Sequence, residues 1–182
     1  MKKDSIAYAE HVLDLFTEIL HKAIIVGPLR EVGLGITPAL AQGIQFIHQH
    51  GVCSVKDIAE GLSMTYSAAS QLADRLVKKG LVTRRENARD RRLTEIELTD
   101  EGFKLAEKIR LRRVTEMSRI LGRMRPASRE MLVQILEDFI TAVIKDDRTA
   151  LEVCSHCGRD HMPECVINEV YQAATGMPIR RT

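Results

Sequence analysis

The stretch SVKDIAEGLSMTYSAASQLADRLVKKGLVTRRENARDRRLTEIELTDEG (Ser54–Gly102) decides the fold. Ser54 opens a short helix through Ile58, Ala59 and Leu62, with Asp57 three residues on as a near capping box. A second start falls at Ser63 or Thr65, and a helix follows from Tyr66 to Lys79. Gly80 closes it, with Lys78 and Lys79 in the last turn where the helix dipole favours cations. Only a few residues separate the two helices, the spacing of a helix-turn-helix. Beyond Gly80 the period changes. Leu81-Val82-Thr83-Arg84-Arg85 reads as a strand, and Leu93 to Leu98 alternates apolar with polar as a half-exposed strand does. A charged hairpin tip, Glu86 to Arg91, lies between them. Thr99, followed by Glu101 and Gly102, opens the next helix.

Working outward, Ala9, Val12, Leu13, Phe16, Ile19, Leu20, Ala23 and Ile24 form an amphipathic stripe, so a helix is expected from about Asp4 to Val26, stopped by Gly27-Pro28. Thr37-Pro38 restarts a helix that runs to His50 before Gly51. Thr99 to Met124 and Ser128 to about Asp147 are two further long helices, parted at Arg125-Pro126. The last of them carries a wide apolar face from Met131 to Ile144. Three long amphipathic helices around a central unit of some 60 residues hold more apolar stripe than that unit can cover, which favours a helical dimer interface.

The chain has 182 residues, 45% hydrophobic and 29% charged, as suits a folded domain with an extension. Its 27 Lys and Arg against 25 Asp and Glu leave a net charge of +2, which as a total says nothing about nucleic acid. The distribution is more informative. Arg84 to Arg92 holds five Arg against Glu86 and Asp90, and Lys108 to Arg125 holds one Lys and six Arg against Glu116. The segment around Glu137, Asp138, Asp146, Asp147 and Glu152 is acidic in compensation. A basic hairpin directly after a helix-turn-helix is the electrostatic footprint of duplex binding. Internal Arg–Asp pairing on a solvated hairpin is the competing explanation. Charges interrupt every apolar run near the start, so neither a secretory leader nor a membrane span is expected, and the chain is read as cytoplasmic.

Ser54–Gly102 resembles the winged helix-turn-helix of MarR-type transcriptional regulators, most specifically through KKGLVTRRENARDRR…IELTDEG: a helix end, a strand, an Asp-Arg-Arg wing and a Leu-Thr-x-x-Gly helix start. The resemblance implies a mainly α fold with a small β-wing, flanked by long dimerisation helices. It also implies a homodimer that binds double-stranded DNA, acting as a repressor, with a small-molecule effector. The second motif helix would enter the major groove and the wing the neighbouring minor groove. The groove-facing candidates are Thr65, Tyr66, Ser67, Ser70, Gln71 and Arg75. Gln71 suits adenine and Arg75 guanine or phosphate, while Leu72 and Leu76 belong to the core. On the wing, Asp90 and Arg92 match the family's supporting acid and minor-groove arginine, with Arg89 and Arg91 as near alternatives. A dimer predicts a pseudo-palindromic operator with half-sites about 10–10.5 bp apart, or a multiple of that.

The four Cys are unevenly placed. Cys53 stands alone and is expected to be a small buried apolar residue. Cys154, Cys157, His161 and Cys165 have the spacing C-x2-C-x3-H-x3-C. A tight knuckle before Gly158, with His161 and Cys165 at the start of a helix near Pro163, would give the three thiolates and one imidazole of a closed zinc site. An iron–sulfur cluster takes the same donors, and Cys154–Cys157 is also a bare C-x-x-C dithiol. The resembled family assigns no ligands here. His11, His21, His48 and His50 form no metal-binding pair, and surface or capping roles are expected of them. The division expected is a winged-helix body over 1–150, its motif at about 54–98, and a metal-binding extension over 151–182. An enzyme is not expected, because four filled positions leave a zinc ion no open site for water. The rival readings are a metal- or redox-dependent protein-interaction module and a small zinc enzyme, neither binding DNA.

Overall fold

The computed structural model describes residues 5–33, 35–86, 94–144, 146–157 and 164–179, the side chains of Glu31, Ser155 and His156 excepted. Helix α1 (Ile6–Leu20) starts on Ser5, whose side chain accepts from the Tyr8 amide. The helical path then continues past the expected stop. A π-helical turn (His21–Val26) leads into α2 (Gly27–Val32). Gly27 donates to the Lys22 carbonyl, five residues back. Pro28 lacks an amide hydrogen and its ring crowds the carbonyl four residues earlier, so the widened turn lets the chain pass it.

Helix α3 (Pro38–His50) is capped by Thr37, which accepts from Leu40 N at 3.3 Å. Strand β1 (Cys53–Ser54), too short for an alternation pattern to show, leads directly into α4 (Val55–Gly61). Both halves of the Ser54/Asp57 capping box form, at 2.7 and 3.1 Å. Helix α5 (Tyr66–Lys78) follows, then strands β2 (Val82–Glu86) and β3 (Thr94–Leu98), α6 (Asp100–Gly122), α7 (Pro126–Val143), α8 (Asp147–Cys157) and α9 (Val166–Thr175). The sheet is antiparallel in the order β1-β3-β2, with Cys53 opposite Ile96 and Arg84 opposite Ile96 from the other side.

Among the described residues, the buried apolar side chains other than Ile24 fall into two clusters. The larger joins α2 through α6 and the sheet, with Ile44, Ile47, Ile58, Leu76, Ile96 and Ile109 almost wholly excluded from water. Cys53 belongs to it, and burial pushes its thiol up to about 12. The smaller cluster is Ile144, Ala150, Cys154, Ile167 and Ile179. By contrast, α1 and α7 contain no buried residue. Val12, Leu13, Phe16 and Ile19 on α1, and Met131, Ile135, Phe139 and Val143 on α7, are exposed.

The Thr99-x-x-Gly102 signature has a direct structural reason. Thr99 Oγ1 accepts from Gly102 N at 3.0 Å and donates to the Gly80 carbonyl at 2.7 Å, tying the start of α6 to the end of α5. Gly102 sits so close to the Leu81 carbonyl that a Cβ there would stand 1.9 Å from its oxygen. Backbone cannot swing aside as a side-chain tip can. Gly102→Ala is therefore expected to cost about 1–3 kcal/mol by overpacking. Gly122→Ala, in open space late in the same helix, is expected to stabilise by about 0.5–1 kcal/mol. Urea denaturation of the two variants checks the contrast.

Candidate nucleic-acid interface

Helix α5 is built with two unlike faces. Ala69, Leu72, Ala73 and Leu76 are buried, and Leu72 lies against Gly43 of α3, where a Cβ would come within 2.5 Å of it. Gly61 at the end of α4 is equally tight against the Phe46 ring. With its inner face seated, the helix turns Ser67, Gln71 and Arg75 outward on one stripe of four-residue spacing. Tyr66 is 63% exposed at its first turn, and Ser70 is half-buried at the edge. Thr65 is exposed and acts as the N-cap, its hydroxyl oxygen accepting from Ala68 N at 3.2 Å. Two residues before it, Ser63 takes a left-handed backbone (φ 51°) in the bend between α4 and α5. Every groove-facing candidate on the helix thus lies on its accessible side or edge, and Leu72 and Leu76 lie in the core.

The wing contributes less free charge than the local excess of arginine suggests. Arg84 Nη1 meets Asp74 Oδ1 at 2.6 Å, and its Nη2 donates to the Ser70 carbonyl at 3.4 Å. This arginine fastens β2 to the flank of α5. Arg85 is 3.5 Å from Glu97 on the neighbouring strand. Spacing could not reveal either pair, since the first depends on how the hairpin lies against the helix and the second on the register between its two strands. The remaining wing positions, Arg89, Asp90, Arg91 and Arg92, lie outside the described residues. On α6, Arg110 pairs with Glu107 and Arg119 with Glu116, which holds both carboxyls below the usual glutamate range. At least two of the seven cations in that run are therefore paired along the helix's own surface.

His48 was expected at a surface or cap. It is half-buried instead, with Nε2 at 3.1 Å from Glu107 and its ring beside Phe103, bridging α3 to α6. His50 stacks on Phe46 at 4.2 Å between ring centroids. Near these residues a cavity of about 350 Å³ opens between α3, α6 and the turn before α2. Gln42, Gln45, Gln49 and Arg113 line it together with Leu29 and Phe46. Gln45 is held by its own amide, which donates to the Ala106 carbonyl at 2.7 Å.

The cysteines are arranged differently from the expected knuckle. Cys154 and Cys157 lie in the last turns of α8, because the helix that begins at Asp147 runs through them. Three residues apart on a helix, they still share a face. Cys154 is buried in the smaller cluster, Cys157 is exposed, and Cys165 packs on the same cluster as the N-cap of α9. That helix begins at Val166, later than expected. His161 and Pro163 lie outside the described residues, and among the described residues no group of three metal-binding side chains converges.

Residues 34–93 match the model of the MarR family. Among curated proteins the chain is similar to the HTH-type transcriptional repressor MdtR of Bacillus subtilis, 38% identical over 88 residues. That match spans 48% of this chain and 57% of MdtR, little more than half the relative's length. Among crystal structures, Rv1404 of Mycobacterium tuberculosis superposes with a TM-score of 0.69 at 28% identity, over 80% of this chain and 99% of that one. YusO of Bacillus subtilis gives 0.62 at 27% identity, over 77% and 100%.

Two measurements check the local geometry. A double-mutant cycle on Arg84 and Asp74 should give a coupling of about 0.5–1 kcal/mol that shrinks with salt, as fits a pair still partly in water. Alkylation at pH 8 should label Cys157 first and Cys53 only on unfolding, because the thiolate is the nucleophile and burial keeps Cys53 protonated. Peptide mass mapping reads the order. Residues 34–93 thus resemble the MarR family, within a winged-helix fold that this chain shares with Rv1404 and YusO over nearly their whole lengths.

Proposed function

We propose that the chain is a dimeric, sequence-specific duplex-DNA-binding transcriptional regulator of the repressor type. Its α5 would lie in the major groove and the β2–β3 wing in the adjacent minor groove. The observation that carries this reading is the exposed stripe Ser67–Gln71–Arg75 on a helix whose opposite face is locked into a winged-helix core. The likeness to a named transcriptional repressor supports it. The uncovered apolar faces of α1 and α7 support a second copy of the chain as partner. Among the described residues no helix is long and apolar enough to cross a membrane, in keeping with a cytoplasmic regulator. The cavity beside Gln42, Gln45 and Arg113 is the proposed place for a small effector.

On this reading residues 1–150 make the regulator body, and 151–182, starting within α8, a metal-held extension. We assign zinc to Cys154, Cys157 and Cys165, with His161 as the fourth donor by sequence spacing. The C-x2-C-x3-H-x3-C spacing carries the assignment; Cys154 and Cys165 pack on one small cluster, while Cys157 is exposed outside it and the three do not converge as they stand.

Gel shifts on duplexes selected from genomic fragments test the DNA reading. Arg75→Ala should weaken binding about 10- to 100-fold, and Gln71→Ala should relax preference at one base position. Arg92→Ala should lower the salt slope by about one. Absent or salt-independent binding would instead favour the protein-interaction module. Metal content and the absorption spectrum test the second reading. Colourless protein with one zinc per chain agrees with it, and brown protein identifies an iron–sulfur cluster.

A further inference from the structure

Strand β2 leaves the core as it approaches the wing. Successive side chains of a strand point to opposite faces, so Val82 and Arg84 share one face and Arg85 takes the other. Val82 is buried, and Arg84 lies opposite Ile96, which is wholly buried. At Arg84 this inner face reaches the rim of the core, and the side chain, 31% exposed, turns to α5. Its guanidinium holds two points on one turn of that helix. Nη1 meets Asp74 Oδ1 at 2.6 Å, and Nη2 makes a longer contact with the Ser70 carbonyl at 3.4 Å. A rigid planar fork on two acceptors fixes direction as well as distance. Arg85, by contrast, pairs with Glu97 inside the hairpin.

Ser70 and Asp74 immediately precede Gln71 and Arg75, so the clamp lies about 100° around α5 from the outward stripe. The hairpin is fastened to the flank beside the stripe, and the stripe stays clear. Other contacts hold the hairpin elsewhere. Thr99 on the Gly80 carbonyl and Gly102 against the Leu81 backbone fix its base, and β1 pairs with β3 along the far edge. Arg84 ties the near edge, β2, to α5. The tie joins one cation to one anion and adds no net charge to the surface. What it supplies is position.

We propose that the Arg84–Asp74 clamp is a positioning device for duplex binding: without touching DNA, it holds the wing at the angle at which wing and α5 meet one duplex together. The proposal rests on the DNA-binding reading above and goes beyond it, because a wing that found its groove unaided would satisfy that reading equally. A looser hairpin spends part of its time at other angles, and affinity falls with the fraction of competent arrangements. The modest strength of a pair partly in water bounds that loss at about two- to fivefold.

Anisotropy titrations of the full chain on a duplex selected from genomic fragments test the clamp. Arg84→Gln combined with Asp74→Asn removes both charges and leaves the net charge of the chain unaltered, so overall attraction to phosphate is held fixed. This double variant is expected to bind about two- to fivefold more weakly than the wild type. Arg84→Lys, which can still meet Asp74, is expected to recover most of the loss. In a chain already carrying Arg92→Ala, and so lacking the wing contact, the double substitution is expected to cost nothing further. Urea midpoints monitor the fold of each variant, and Arg84→Lys retains the ion pair should the double variant unfold. Unchanged or tighter binding by the double variant overturns the clamp and leaves the DNA reading standing, as does Arg84→Lys binding no better than the double variant. Equal losses with and without Arg92 overturn the route through the wing. Wild-type affinity in the Arg92→Ala chain overturns the wing half of the DNA reading and the clamp with it. A wild-type chain that binds no duplex overturns both.

Discussion

Leu72 of α5 stands against Gly43 of α3 at a distance that leaves no room for a side chain there, and Ala69, Ala73 and Leu76 complete the same buried face. The rest of the winged unit depends on this seating. Small residues at 69 and 73 let α5 come close to its neighbours, and close packing fixes the rotation of the helix about its axis. That rotation determines that Ser67, Gln71 and Arg75 face outward together. A helix free to turn would present a mixed surface and could not hold these three side chains in a fixed outward stripe.

The junction at the end of α5 extends the same constraint to the wing. Thr99 grips the Gly80 carbonyl, Gly102 admits the Leu81 backbone, and Arg84 ties β2 to Asp74 and to the Ser70 carbonyl. Three backbone-level contacts and one ion pair thus set the hairpin's angle to α5. The ion pair lies partly in water and adds little stability; its role is orientation. Arg84 is accordingly part of the scaffold and not of the basic surface.

Beyond the winged unit the chain is built on a different principle. Helices α1 and α7 bury nothing within the chain, and α6 carries exposed Leu111 and Val114 along its second half. Helix α7 gains cover at one flank from α9 and the cysteine-bearing cluster. Apolar stripes of this length are stable in water when another surface meets them.

The sequence by itself determined what depends on neighbours in the chain. The Ser54/Asp57 box, Thr37 and Thr65 as caps, Gly80 as a stop and the alternation in Leu93–Leu98 are local chemistry, and each was legible. The buried and exposed faces of α5 were legible too, because its apolar residues keep helical period. What only the tertiary structure decided involves groups distant in sequence. The strand at Cys53–Ser54, the Arg84–Asp74 tie and the His48–Glu107 bridge belong to this class. So does the helical setting of Cys154 and Cys157, where packing on Ile144 and Ile167 extends α8 through residues whose spacing alone suggested a loop. Side-chain pairing and helix continuation are settled by the competition among all surfaces that meet, which no single window of sequence contains.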